Sequence, residues 1–570
     1  MIWPKKLQSR HMVVVLFVFG ILTLALLFFL VGELNIGEKK RGSRVEVSPS
    51  PRSRKLQSVI CSESNAGGIG LRDIKALHKL EVETNSGWNH SDQPTKVQTL
   101  GTHGYIKRDL PVYEDAFARK TIAVLPRPSD GRFREDRSFD ALLCLSFNTE
   151  SCLSKDDFAK IGRGRKVNRI KSLREVLWSK NNFCDTLSSS TKGFAVTDFF
   201  FPCWVLPDQY DELVEDSTRL GIKRWISKPR ALGAGMGITV IDHLKEIKRS
   251  STHVIQEYMK RPHLLKGADG EKHKWDMRTY VLVTSVFPLR AYVYRRGLVR
   301  LATSPYSEDC RSNNQTACLT NTSINKKMIG AKLKDITWSF KKLKDYLGER
   351  SYNEMFSKMQ RAIGMTLLAS LPGFAREWEG TGDMCESCYQ LLGVDVIFDE
   401  KLNAKVIECN GEPSMQTTNG GKTHYDITKK NMIRDLVNLV YQDKSALKET
   451  SRLLHNKAEE CPVPAKLRKM DATYLLELFR EVKGKGDFAP VYPNEKFQSE
   501  HQAFLQHMAA SDALPKSILK TMRNLLHSHH VVSELLAEET AIKMLSSSTE
   551  TKTHAEEKEL EITDDALDDV

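Results

Sequence analysis

The chain lacks the common nucleotide-binding fingerprints, any internal repeat and any regular cysteine spacing. A Gly-rich stretch is present at Gly233, Gly235 and Gly237. A β-branched run follows it, where a Rossmann fingerprint needs a helix, and no Gly-Lys-Ser/Thr closes it as in a Walker loop. Cysteine is scarce, 11 of 570 residues. The one close pair, Cys385 and Cys388, has neither a second pair nor a nearby histidine, so zinc is not indicated and both are read as incidental packing cysteines. An acidic surplus is also missing: 85 Lys and Arg stand against 72 Asp and Glu, a net charge of +13. That balance favours an acidic partner, whether nucleic acid, an anionic membrane surface or an acidic polypeptide.

Long apolar runs are rare as well. The exception is residues 12–32, an uncharged stretch of about the length a bilayer core requires. No small-residue cleavage motif follows, so it is read as a retained transmembrane signal anchor. Lys5, Lys6 and Arg10 precede it and Lys39, Lys40, Arg41 and Arg44 follow it, which leaves its orientation open. Residues 1–11 are then a basic tail. Residues 33–130 read as a stalk, rich in Arg, Ser and Pro near 42–58, followed by a weakly patterned region. Folded-domain texture begins near Arg134, and a catalytic domain is set at 131–445. Residues 446–545 read as a helical extension carrying Leu467, Met470, Leu475 and Phe479. Residues 546–570 form an acidic disordered tail.

Within 131–445, helices are expected over 167–184, 209–220, 336–347 and 352–371, with a short buried strand or turn at 199–206. Residues 224–241 read as a strand carrying Lys228, the glycines, then a second strand. Glycines let backbone N–H groups close on an anion, and the lysine adds a point charge. Residues 253–259 (HVIQEYM) form a strand whose polar end offers an edge to an adenine ring. Residues 274–280 alternate: Lys274, Asp276 and Arg278 share one face and Trp275 and Met277 the other.

The most informative stretch is 393–415, GVDVIFDEKLNAKVIECNGEPSM. Two apolar runs flank a polar turn, a hairpin signal. Glu408 and Asn410 share a strand face, and a turn near Lys401 and Leu402 sets Asp395 opposite Glu408. Two carboxylates so close repel unless a proton or cation lies between them. With an amide beside them they suggest an all-oxygen Mg²⁺ site.

Taken in order, WISKP with its glycines, IQEYM, KWDMR-Y, VRLATSPY, LTNTSINKK and GVDVIFD…VIECNGEPS resemble an ATP-grasp ligase. More closely, they resemble the tubulin tyrosine ligase-like (TTLL) family of polyglutamylase type, over about residues 134–441. The resemblance implies an α/β ATP-grasp fold of mixed sheets with flanking helices. It implies ATP and Mg²⁺, two ions being expected. By position, Lys180 and Lys228 look like the phosphate lysines, and Gly235 belongs to the glycine loop. Gln256, Tyr258 and Met259 look like the adenine segment. Thr320 and Asn321 look like ribose and phosphate contacts, and Lys274, Asp276, Arg278 and Arg300 like the nucleotide and substrate face, with Arg278, Lys274 and Arg300 as the catalytic cations. Asp395, Glu408 and Asn410 match the magnesium ligands.

Cys318 departs from the family, which has His before Leu-Thr-Asn. The implied activity is ATP-dependent addition of free L-glutamate to acidic tubulin tails, with no nucleic acid partner and a cytosolic catalytic domain. The alternatives are a lumen-facing ligase for another acidic protein, compatible with sequons at Asn89, Asn314 and Asn321, and a non-catalytic membrane-tethered scaffold for microtubules.

Overall fold

The computed structural model describes residues 95–135, 139–161, 165–230, 235–310, 314–320, 336–379, 388–418, 421–441, 477–523 except 479, and 526. The expected anchor at 12–32, the stalk, residues 446–476 of the expected extension and the acidic tail lie outside the described residues. Among the described residues no helix is long and apolar enough to cross a membrane.

Three sheets with flanking helices make a mixed α/β fold. The first contains β1 (Lys96–Gly101), β2 (Ala123–Leu125), β3 (Ala141–Leu145) and β4 (Lys166–Val167), with helix α1 (His103–Ala118) between β1 and β2. Its order is β2-β1-β3-β4 and every pairing is parallel. All five residues of β3, ALLCL, are buried, as a parallel strand covered on both faces requires. The sheet reaches upstream of residue 131, into the weakly patterned region.

The helix expected over 167–184 is interrupted. The Asn168 amide donates to the Cys144 carbonyl at 3.0 Å and its Oδ1 accepts from the Cys144 N–H at 2.7 Å. That imitation of a ladder keeps the backbone extended. Ser172 then adopts φ 59°, which a continuous helix does not allow. One π turn at Arg174–Trp178 precedes α2 (Lys180–Thr191).

The second sheet is antiparallel. It comprises β5 (Cys203–Val205), β6 (Trp225–Pro229), β7 (Thr239–Ile241) and β8 (His253–Glu257), in the order β5-β8-β6-β7. Helix α3 (Tyr210–Arg219) follows β5. Strand β8, read from its sequence as presenting an edge, is interior: its residues pair with β5 on one side and β6 on the other.

The third sheet is built on a 14-residue strand, β10 (Lys272–Ser285), which pairs with β9 (Leu264–Lys266), β11 (Arg290–Tyr294), β12 (Leu298–Leu301) and β14 (Gln390–Phe398). Strand β13 (Thr337–Ser339) extends β12, so the helix expected from 336 begins only at α4 (Phe340–Leu347), where the Ser339 hydroxyl accepts from the Lys342 N–H. The 30-residue α5 (Glu349–Trp378) follows. Strand β15 (Ala404–Asn410) closes a hairpin with β14, and α6 (His424–Val440) starts from a Thr423/Asp426 capping box. The described part of the extension is not wholly helical: β16 (Phe488–Tyr492) pairs with β11, followed by α7 (Gln498–Ala510). A buried Arg290–Glu481 pair, with the Tyr292 hydroxyl donating to Glu481, ties this segment to the sheet.

Alternation along β10 divides the core. Trp275, Met277, Val281 and Val283 pack on the side of α5, while Tyr280 and Leu282 pack on the side of α1 and α6. Lys274, Asp276 and Arg278 occupy the latter face further up the strand.

Candidate active site

A cleft opens between the second and third sheets. Ile226 and Lys228 enter from β6, Gln256 and Glu257 from β8, Lys274 and Asp276 from β10, Arg300 from β12, Asp395 and Ile397 from β14, and Ile407, Glu408 and Asn410 from β15. Lys180 comes from the first turn of α2, and Gly235, Tyr258, Met259, Leu319 and Thr320 come from connections.

The hairpin has the register its turn implies, Asp395 opposite Glu408 and Gly393 opposite Asn410. Leu402 takes φ 57° in the turn, and the Asp399 carboxylate accepts the N–H groups of Lys401 and Asn403. The register then shifts, with Val396 opposite Val406, so β15 carries one extra residue. This bulge explains why Ile407 and Glu408, adjacent in sequence, both reach the cleft.

Charged groups interlock around Asp395. Arg278 binds both its oxygens, at 3.0 Å for the Nη2 contact, and Arg300 Nη2 lies 2.9 Å from Oδ2. Arg300 also forms a two-pronged pair with Asp276 at 2.6 and 2.8 Å, and the Thr320 hydroxyl donates to that same Asp276. The Arg278 stem crosses β14 over Gly393, where a Cβ would sit 3.3 Å from Arg278 Cδ. On the opposite wall Lys228 Nζ donates to Gln256 Oε1 at 2.6 Å. Lys274 Nζ donates to the Cys318 carbonyl at 3.0 Å and sits 3.9 Å over the Tyr258 ring.

Burial sets the titration of these groups. It pushes Lys274 down to about 7, against the pull of Asp276. It pushes Lys228 down to about 8, with Glu408 opposing and Lys180 reinforcing. Burial raises Asp276 despite Arg300. For Asp395 burial acts upward, but Arg278 and Arg300 prevail and hold the carboxyl well below the usual range.

Asp395, Glu408 and Asn410 form an oxygen-only donor set beside two lysines, which suits a hard divalent ion that also holds phosphate. The Asn410 amide donates to Glu408 Oε1 at 3.3 Å and to the Gly393 carbonyl at 3.2 Å. Asp395 would have to share its oxygens between a cation and the two guanidinium groups.

Thirteen of the residues singled out from sequence line this one cleft: Lys180, Lys228, Gly235, Gln256, Tyr258, Met259, Lys274, Asp276, Arg300, Thr320, Asp395, Glu408 and Asn410. Arg278 stands beside it and acts on Asp395. Asn321 and Gly233 lie outside the described residues. The apolar wall of Phe201, Ile226, Ile238, Leu319, Ile397 and Ile407 was not foreseen. Its only sequence signal is position, as with Ile397 two residues from Asp395 on β14.

The cysteines differ from the sequence reading. Cys144–Cys152, Cys184–Cys203 and Cys310–Cys318 are disulfides, and Cys388 is disulfide-bonded too, so it is no incidental packing residue. Cys409 is the free cysteine among the described residues, and it is buried. Spacings of 8 and 19 residues carry no pairing information, and only the fold joins them.

Comparison with known proteins agrees with the family that the motifs resemble. The human tubulin polyglutamylase TTLL6 is 28% identical over 390 residues, 64% of this chain and 43% of the relative. The mouse tubulin monoglutamylase TTLL4 is 32% identical over 316 residues, 53% of this chain and 25% of the relative. The human tubulin polyglutamylase TTLL13 is 27% identical over 397 residues, 64% and 47% respectively. The chain thus spans less than half the length of these relatives. Residues 145–448, more than half of the chain, match the tubulin-tyrosine ligase family, and the chain belongs to it.

Proposed function

We propose that the cleft is the active site of an ATP-grasp carboxylate–amine ligase that adds glutamate to acidic side chains of a polypeptide, with tubulin tails as the acceptor. The observation that carries this reading is the oxygen donor set of Asp395, Glu408 and Asn410, facing Lys228 across a cleft with an apolar lining, with Lys274 on the same sheet as the donors. The acceptor carboxylate takes the γ-phosphoryl group of ATP and becomes an acyl phosphate. ADP leaves in that step; the amine of free glutamate then displaces phosphate from the acyl phosphate, giving up a proton and forming an amide bond. Asp395, Glu408 and Asn410 would hold Mg²⁺, which when bound offsets charge on the phosphates. Lys180, Lys228 and Lys274 neutralise the transferred group, and Ile226, Ile238 and Met259 enclose the base. Arg278 and Arg300 hold Asp395 and Asp276 rigid and orient the reacting ends. The net charge of +13 draws an acidic acceptor to the enzyme.

The test is incorporation of labelled Glu, Gly or Tyr into microtubules by the full chain with Mg-ATP, beside Glu408→Gln. ATP-dependent Glu incorporation that is lost in the variant supports the reading. Incorporation of Gly or Tyr refutes the choice of amino acid, and failure to bind Mg-ATP leaves a non-catalytic scaffold.

The disulfides favour a second reading, in which the same ligase faces an oxidising lumen beyond a membrane anchor at 12–32 and modifies another acidic protein. Structural disulfides persist in such compartments and are rare in the cytosol. Glycan occupancy at Asn89 or Asn314, with protease protection in sealed vesicles, decides between the two orientations.

A further inference from the structure

We propose that the Cys310–Cys318 cystine is a positioning element of the nucleotide cleft, setting its affinity for ATP through Lys274 and Thr320. The inference rests on the cleft being the ATP site. Both half-cystines are buried and pack with Tyr258 and Ala317, and Cys318 lines the cleft beside Tyr258. The Cys318 carbonyl takes two donors at once, Lys274 Nζ at 3.0 Å and the Tyr258 hydroxyl at 3.2 Å. The Tyr258 oxygen also lies 3.7 Å from Cys310 Sγ, so the ring that Lys274 covers is braced by both halves of the bridge. The chain leaves Cys318 into the cleft: Leu319 and Thr320 line it, and Thr320 donates to Asp276.

Lys274 is buried and loses solvation there, so the place of its ammonium depends on that carbonyl. Residues 315–318 form one short helix, which Ser304 fastens at Thr316 through its N–H and its hydroxyl. The covalent bridge to Cys310 fastens its Cys318 end. Its reduction by a dithiol breaks the S–S bond. Two electrons and two protons pass to the sulfurs, giving two thiols, and the dithiol leaves as its own disulfide. The carbonyl is then released from its second anchor.

The experiment uses the full chain in detergent. Mg-ATP dissociation constants, KM for ATP and kcat are measured for the wild type, for Cys310→Ser/Cys318→Ser, and for Cys144→Ser/Cys152→Ser, whose bridge lies on the first sheet. The Cys310/Cys318 variant should show Kd and KM for ATP raised about tenfold, with kcat lowered as well because Lys274 also serves the transferred group, and KM for glutamate unchanged. The Cys144/Cys152 variant should keep the wild-type Kd. Wild-type Kd in the Cys310/Cys318 variant, or an equal loss in the Cys144/Cys152 variant, overturns the proposal. Weakened Mg-ATP binding in a chain that incorporates no amino acid upholds the cystine's role and removes the ligase reading instead.

Discussion

Binding of Mg-ATP should consume protons. In the free cleft burial holds Lys274 at about 7 and Lys228 at about 8. At pH 8 about one Lys274 in ten and about half of Lys228 carry a proton. A phosphate oxygen at about 4 Å adds about 4 kcal/mol of attraction per unit charge at an effective dielectric constant near 20, or about three pK units. Both lysines then become fully charged. The expected uptake is about 1.4 protons at pH 8 and about 0.1 at pH 6. The sign follows from depressed pKa values in the free form: binding restores the ammonium state, so affinity falls as pH rises, by about 1.4 decades per pH unit near pH 8. Titration calorimetry of preformed Mg-ATP, in buffers of different ionisation enthalpy, reads the proton number as the slope of apparent enthalpy. Lys228→Met should lower it by about 0.5 at pH 8. An uptake under about 0.3 at pH 8, or the same value at both pH values, refutes the assignment of these lysines to phosphate.

Other substitutions address separate parts of the site. Glu408→Gln should reduce turnover by about a hundredfold or more while leaving the thermal midpoint near wild type, because it removes the charge of one of the groups that would hold Mg²⁺ rather than a packing group. Arg300→Met leaves buried Asp276 without its two-pronged partner and should lower unfolding free energy by about 3–5 kcal/mol in a denaturant titration. Replacing Cys184 and Cys203 by Ala opens the 19-residue link between α2 and β5 and should cost about 3 kcal/mol, read by the same titration. Raising salt from 50 to 300 mM should lower kcat/KM toward an acidic acceptor while leaving kcat nearly unchanged, since it screens attraction at a distance.

The hairpin was legible because its acids interrupt apolar runs. Asp395, Glu408 and Asn410 are polar where the neighbouring strand residues are buried, and the turn at Leu402 fixes the register. The alternation of Lys274, Asp276 and Arg278 was legible for the same reason, since period two needs no tertiary information. Contacts distant in sequence were not. The grip of Arg278 on Asp395 spans 117 residues and depends on a glycine of another strand. The first sheet escaped notice because its strands are short and β2 is only half-buried, so no alternation marks it. The break at Ser172 was hidden because periodicity records which residues are apolar. It does not record that Asn168 competes for backbone partners.

The two kinds of cation in the cleft have separate duties, and the separation follows from chemistry. Arg278 and Arg300 stay charged at every physiological pH, and both are committed to carboxylates, one to Asp395 and the other to Asp276 and Asp395. They make a frame whose geometry does not vary with pH. Lys228 and Lys274 hold only neutral oxygens, those of Gln256 and of the Cys318 backbone. Their burial leaves their charge conditional on an anion arriving. On the proposed reading, such a cleft keeps its shape when empty and acquires positive charge as phosphate enters. If the guanidinium groups were the phosphate ligands instead, Asp276 and Asp395 would be stripped of their partners on binding and proton uptake would appear on carboxylates, with an onset at acid pH. The pH at which uptake begins therefore distinguishes a lysine-based phosphate site from an arginine-based one, independently of any acceptor.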